Sequence, residues 1–316
     1  EGFVYTYFLH DMGRDLDISY NLRFPELVRP ERGKVHVFHR QDLDAGKHWR
    51  YEIESYYVPD RYLRDEFFEQ EFREGKDPEA AGYIRWLDGP SGAYVYERHR
   101  LNDWQTLNEY LPRLHFEMLS VPLWEKTLDN LYVTQKVDAV QLRRRIDKEL
   151  PQNNIDLVRL DSVTEVSLPW DLGYFQVSPF AQGRLTFYDA DLSNDAELRA
   201  IWTAGGRFVT QVHATHPNIA WERIGLRGLR HTAEFELRYA RSSGSNLSTD
   251  DLFPFEEVDQ LGEFEEIGLE FRQRLLTKDA QGKPREFFFS VLGIEYYPDP
   301  DRDAQSSRVD NYIYPF

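Results

Sequence analysis

The chain has no cysteine. That single absence removes disulfides, zinc ribbons, thiol nucleophiles and iron–sulfur ligation. Long apolar runs are also missing. A transmembrane helix needs about 20 mostly apolar residues in succession, and no stretch of the 316 residues comes close. Basic residues are in deficit, with 38 Lys and Arg against 55 Asp and Glu, a formal charge of −17. Nucleic acid is therefore a poor partner, because its phosphates need a Lys/Arg surface. No Walker loop, G-x-G-x-x-G or G-x-S-x-G motif occurs. The opening Glu1-Gly2-Phe3-Val4-Tyr5 has neither a basic start nor an apolar core, so it does not read as a signal peptide.

What the chain does have is aromatic residues in quantity: Tyr 19, Phe 21 and Trp 7. That is too much apolar ring surface for a chain that stays solvated. The dominant pattern is period two. Trp49, Tyr51, Ile53, Ser55 and Tyr57 alternate with Arg50, Glu52, Glu54 and Tyr56. Ala233, Phe235, Leu237 and Tyr239 alternate with Glu234, Glu236 and Arg238. Ile267, Leu269 and Phe271 alternate with Gly268, Glu270, Arg272 and Arg274. Successive side chains of a strand point to opposite faces, so each segment offers one apolar and one charged face. The spacing predicts strands over 3–10, 18–24, 34–40, 49–58, 82–87, 93–98, 113–119, 131–142, 158–168, 175–188, 199–215, 230–241, 266–276 and 286–297. Many are longer than the usual 5–6 residues or so. The expected fold is all-β, an antiparallel meander of about 14 amphipathic strands that forms an outer-membrane β-barrel or an open curved section of one.

The connections differ in character. Asp88-Gly89-Pro90-Ser91-Gly92 and 278–283 read as tight turns, while 189–197, 242–251 and 299–310 read as long polar loops. Short turns at one end and long loops at the other are a feature of outer-membrane barrels. One segment breaks the period. In 60–75, Leu63, Phe67, Phe68 and Phe72 fall at helical spacing, which predicts a short amphipathic helix inside a loop. No linker-like stretch divides the chain, so one domain over 1–316 is expected.

Several constellations resemble chemistry. Glu234 and Glu236 lie two apart on one strand face, and retaining glycosidases use paired carboxylates about 5 Å apart. Arg238 continues that face, however, and Arg50, Glu52 and Glu54 repeat the pattern, so a charged face accounts for them. His213 and His216 form an H-x-x-H pair without the third ligand that zinc requires; His213 reads as a strand residue and His216 as the cap of a turn before Pro217. Asp299, Asp301, Asp303 and Asp310 resemble the start and end of a calcium loop, but Ala304 stands where the sharp turn wants glycine. Nothing assembles into an active site, so no catalytic residue, cofactor or metal is expected. The candidates that remain are lumen-facing: Arg50, Glu52, Glu54, Glu234, Glu236, Arg238, Glu270 and Arg272. Trp49, Tyr57, Trp86, Tyr96, Tyr188, Tyr239, Tyr296 and Tyr297 lie near strand ends as candidates for interfacial girdles.

Five stretches carry a resemblance. They are Trp49-Arg-Tyr-Glu-Ile-Glu-Ser-Tyr-Tyr-Val-Pro-Asp60-Arg-Tyr-Leu-Arg-Asp-Glu-Phe67, Glu109-Tyr-Leu-Pro112-Arg-Leu-His-Phe116, Leu229-Arg-His-Thr-Ala-Glu-Phe-Glu-Leu-Arg-Tyr-Ala240, Leu275-Leu-Thr-Lys-Asp and Phe287-Phe-Phe-Ser-Val-Leu-Gly-Ile-Glu-Tyr-Tyr-Pro-Asp. Their order and spacing, over about 20–316, resemble the barrel of the lipopolysaccharide-assembly outer-membrane proteins, also called organic-solvent-tolerance proteins. The resemblance implies a non-enzymatic translocon that inserts lipopolysaccharide or a related glycolipid into the outer leaflet. It implies as partners a plug lipoprotein, membrane lipid and, through a jellyroll domain, periplasmic bridge proteins. It also implies that this chain is a middle section of the barrel, lacking the family's jellyroll and last strands. Two alternatives stand beside it: a soluble β-rich enzyme acting on carbohydrate, with Glu234 and Glu236 as acid and base, and a general porin.

Overall fold

The computed structural model describes residues 1–10, 31–59, 61–123, 130–244, 246–279 and 281–299. The expected strand at 18–24, and Asp301, Asp303, Ala304 and Asp310 of the calcium-like loop, lie outside the described residues.

The fold is all-β. The strands are β1 (Gly2–His10), β2 (Glu31–Asp42), β3 (Trp49–Tyr57), β4 (Ala80–Asp88), β5 (Ser91–His99), β6 (Leu107–Pro122), β7 (Tyr132–Arg145), β8 (Ile155–Ser167), β9 (Trp170–Asp171), β10 (Phe175–Tyr188), β11 (Glu197–Trp221), β12 (Leu226–Ser243), β13 (Glu265–Lys278) and β14 (Pro284–Tyr296). They make one sheet in sequence order, with the two-residue β9 attached to β10 beside the main path. Among the described residues, β1 and β14 each have a single neighbour, β2 and β13 respectively. The order is that of an antiparallel meander, in which successive connections alternate between the two ends of the sheet. The connections after β3 and β12 are long (58–79 and 244–264), whereas those after β4 and β11 are a Gly89-Pro90 turn and a single 3-10 turn over Glu222–Ile224. Gly89 has φ +53°, a conformation that glycine adopts without a Cβ penalty.

Two compact units are distinguished by their internal contacts. One comprises Glu1–Met118, Lys136–Asp161 and Phe187–Glu197; the other comprises Leu119–Gln135, Ser162–Thr186 and Leu198–Phe316. In the first, the register places Tyr5, His36 and Tyr56 side by side, followed by Phe38 against Glu54 and Arg40 against Glu52. This is the polar face. The opposite face carries Val37, Ile53, Ile84, Val95 and Leu114, with His39 and Glu97 among them. In the second unit, Phe208, Leu237, Leu269 and Ile294 form one apolar row, and Phe235, Phe271 and Leu292 the next. Phe235 and Phe271 stack with ring centroids 4.5 Å apart.

The buried apolar centre of the first unit lies against the polar face of β1 to β3. Tyr56, Val58 and Leu63 are buried there, with Tyr7, Leu9, Phe68 and Trp104 packed on them. Leu63 comes from the insert between β3 and β4, which forms two helices, α1 (Leu63–Phe67) and α2 (Glu69–Glu74). The expected single amphipathic helix is thus divided. Phe68 has φ −140° and ψ 49°, outside the helical region, and interrupts the helix between α1 and α2. Leu63 and Phe68 consequently pack inward while Phe67 and Phe72 are exposed.

A second correction concerns His216. No turn forms at Pro217; β11 continues to Trp221, and the register with β12 shifts between His216 and Ala220. A proline lacks the N–H that a regular ladder needs, and a bulge is where a strand tolerates it. Aromatic placement is mixed. Trp49 and Trp86 pair across β3 and β4 at 6.5 Å, and Tyr57, Tyr239 and Tyr296 are exposed near strand ends. Tyr188 and Tyr297 are buried and Tyr96 lies on the polar face opposite Arg113, so these three are not girdle residues.

Candidate functional site

The charged faces of the two units are the places where chemistry concentrates. In the second unit, Glu234 of β12 stands opposite Arg272 of β13, and Glu236 opposite Glu270. Two carboxylates face to face on neighbouring strands repel, and arginines offset that repulsion here. Arg272 Nη1 donates to Glu234 at 2.7 Å and lies 3.5 Å from Glu236, and its Nε contacts Glu270. Arg207 of β11 donates to Glu236 at 2.7 Å, and Arg238 lies 3.8 Å from Glu236 and donates to Glu295 at 3.4 Å. Gln211 completes the surroundings of Glu234 at 3.3 Å. Glu234, Glu236, Arg238, Glu270 and Arg272 therefore form one network, as their shared face predicts. Arg207 and Glu295 belong to it too; the cross-strand register that brings them in is nonlocal.

A cavity of about 620 Å³ adjoins this network, with Glu165, Gln182, Arg184, Arg207 and Glu266 among its polar lining. Its roof is part of the loop 244–264. Arg199 of β11, fully buried, donates to the carbonyls of Asp259 (3.3 Å), Leu261 (3.2 Å) and Val258 (2.5 Å). Asp259 accepts from the backbone N–H of Phe255 and Glu256 at 3.1 and 2.9 Å. Ser242 Oγ accepts from Phe264 N–H at 2.9 Å. The roof is thus held by hydrogen bonds to a buried cation and a strand end, contacts that no local pattern announces.

In the first unit, Arg50 donates to Asp42 at 2.7 Å, Glu52 lies opposite Arg40, and Glu54 contacts His36 at 2.9 Å and Lys76 at 2.7 Å. These three candidates lie on the polar face, but among the described residues no hydrogen bond or ion pair joins Glu52 to the Glu54 cluster. Lys76 also pairs with Glu79, which contacts Arg98 in turn. Burial pulls the Lys76 ammonium down, but its hydrogen bonds and charge pairing with Glu54 and Glu79 outweigh this and leave its pKa raised. Nearer β1, Arg32 and Lys34 of β2 are almost fully buried beneath the insert, paired with Glu66 and Glu71. The Lys34 ammonium sits 3.5 Å from the centre of the Phe68 ring, a favourable cation–π contact. Arg64 of α1 is buried as well, and that burial lowers its pKa.

His213 lies within β11, and among the described residues no group of three or more His, Asp or Glu is arranged to hold a metal. No protein-family model matches the chain, and the search of curated proteins returned no match.

Proposed function

We propose that this chain is a section of an outer-membrane translocon wall that carries lipopolysaccharide or a related glycolipid to the outer leaflet, without enzymatic activity. The observation that carries the reading is the inverted exposure of the two sheet faces. Ile53 and Leu269, mid-strand on the apolar faces, are 53% and 51% exposed, while Glu236 on the charged face is 5% exposed. A soluble sheet hides its apolar face; a barrel in lipid presents it outward and keeps a polar interior. The charged faces, with Arg50, Glu52, Glu54, Glu234, Glu236, Arg238, Glu270 and Arg272, would line the hydrated lumen. Membrane lipid, a plug lipoprotein and periplasmic bridge proteins would be the partners. Alternation of long and short connections supports the same reading.

The glycosidase alternative loses ground on geometry. Both Glu234 and Glu236 accept hydrogen bonds from arginines of the neighbouring strands, whereas the paired carboxyls of a glycosidase have to flank the scissile bond. The test is fractionation of cells expressing the chain, followed by electrophoresis with and without heating. Recovery in the outer membrane with heat-modifiable mobility supports the translocon wall, and recovery as a soluble monomer overturns it. Steady ion conductance in planar bilayers would favour the porin instead.

A further inference from the structure

Glu71 of α2, its side chain 35% exposed, reaches into a nest of buried donors. One carboxylate oxygen is taken by Lys34 Nζ and the other by the Tyr56 hydroxyl. Arg64 Nε lies 3.6 Å from the second oxygen, too far for a hydrogen bond, and is a buried N–H without a hydrogen-bond partner. Lys34, Tyr56 and Arg64 are 2%, 4% and 3% exposed. Two cations and a hydroxyl thus converge on one carboxylate, which has acceptor sites enough for all three donors but is placed so that Arg64 Nε stays out of hydrogen-bond reach. A phosphoryl group has three terminal oxygens and up to two negative charges, which fits this set better than the carboxylate does.

The element that supplies Glu71 is built to part from the rest. α1 is anchored: Leu63 is buried in the apolar centre, Glu66 pairs with Arg32, and Arg61 donates to the Trp104 carbonyl at 3.0 Å and to Asp147 at 2.5 Å. α2 follows the break at Phe68, its own Phe72 is exposed, and its tie to α1 besides the Glu71 carboxylate is a hydrogen bond from Arg64 Nη2 to the Glu71 carbonyl at 2.7 Å, which has to break for α2 to leave. Movement about Phe68 would withdraw Glu71 and leave Lys34, Tyr56 and Arg64 in place. We propose that Lys34, Tyr56 and Arg64 form a phosphoryl-binding site, filled in this structure by Glu71 as an internal surrogate and vacated when α2 swings out at Phe68. The site lies within the first unit and stands whether or not the chain spans a membrane.

The lack of cysteine makes the test direct. With Arg73→Cys and Glu97→Cys, spin labels report the distance between α2 and β5. Inorganic phosphate should populate a second, longer distance in a saturable way, and chloride at matched ionic strength should not. Glu71→Gln should lower the half-saturating phosphate at least tenfold, because the surrogate loses its charge; Lys34→Met should abolish the response. Phosphatidic acid set against phosphatidylcholine in the same micelles separates a lipid headgroup from free phosphate, and a response to either phosphoryl source supports the site. Calorimetric titration of the unsubstituted chain with both phosphoryl probes gives an independent reading should a variant fail to fold. An unchanged distance with all probes, an equal response to chloride, or no saturable heat with either phosphoryl probe would overturn the proposal.

Discussion

Phe235 and Glu236 are consecutive residues of β12, and the phenyl ring is 45% exposed while the carboxylate is 5% exposed. The polarity is the reverse of what water selects, since a Glu is almost never so buried unless paired. Glu236 is paired with Arg207 and lies within 4 Å of Arg238 and Arg272. Phe235 is stacked on Phe271 across the strand. Each face therefore satisfies its own chemistry inside the sheet, and the inversion extends through the register to Leu237, Leu269 and Ile294.

Glu236→Gln should destabilise the fold by about 1–2 kcal/mol. Removing one charge from a buried, hydrogen-bonded pair costs several kcal/mol when the partner cannot rehydrate; here the Arg207 side chain is half exposed and recovers part of that loss. Equilibrium urea unfolding of the two proteins gives the difference. On the proposed translocon role, the double substitution Glu234→Gln with Glu236→Gln should leave glycolipid transport nearly intact, and a hydrolytic activity that disappears in this variant would restore the enzyme reading.

Replacing Arg199 by Met should release the cavity roof. Three carbonyl oxygens of 258–261 lose their donor, and buried acceptors without partners cost about 1–3 kcal/mol each at most; access of water to the freed loop reduces this. Hydrogen exchange over 255–264 should accelerate at least tenfold while exchange in the centre of β12 changes little. Equal acceleration in both would mean that Arg199 supports the sheet as a whole.

These contacts mark the limit of what the sequence makes legible. Alternation in 49–57, 233–239 and 267–274 places the strands and sorts their faces, because a period of two is a local property. It also groups Glu234, Glu236, Arg238, Glu270 and Arg272, which share one face in any register that keeps the apolar residues of the two strands together. Ends are another matter: β6 begins at Leu107 and runs through Pro112, and β11 runs past Pro217, because pairing across the ladder overrides local breakers. The insert's helical spacing is visible, but the break at Phe68 is not, since Lys34, Tyr7 and the apolar centre hold that ring in place. Arg32–Glu66 and Lys34–Glu71 join residues more than thirty positions apart, and nothing local announces them.

Asp103 gives a pH dependence with a definite sign. A hydrogen bond from Lys148 at 2.8 Å, which links 100–106 to 146–154, holds its carboxyl below the usual range. A depressed carboxyl stabilises the folded state above its unfolded pKa and loses that contribution as the pH falls through its folded value. Lys148→Met should therefore lower the Tm slightly at neutral pH and not at all in strong acid. The pair is largely exposed, so the effect is that of a surface ion pair, well under about 1 kcal/mol. A Tm difference that persists unchanged in acid would assign the loss to packing.

Leu269→Arg separates lipid from water as the medium of the apolar face. Leu269 lies between Leu237 and Ile294 in the ladder, and all three side chains are exposed. In water, a substitution at such a surface position changes stability by no more than about 0.5 kcal/mol, and arginine would raise solubility. In a bilayer, arginine on the outer face costs about 2–4 kcal/mol at the midplane and less towards the interface. Leu269→Ala serves as the control for lost packing, because it removes the side chain without adding charge. Folding into lipid vesicles, followed in urea, should therefore show Leu269→Arg less stable than Leu269→Ala by at least about 1 kcal/mol. Equal stability of the two variants, or a gain for arginine together with a soluble protein, would place this face in water and remove the observation on which the membrane reading rests.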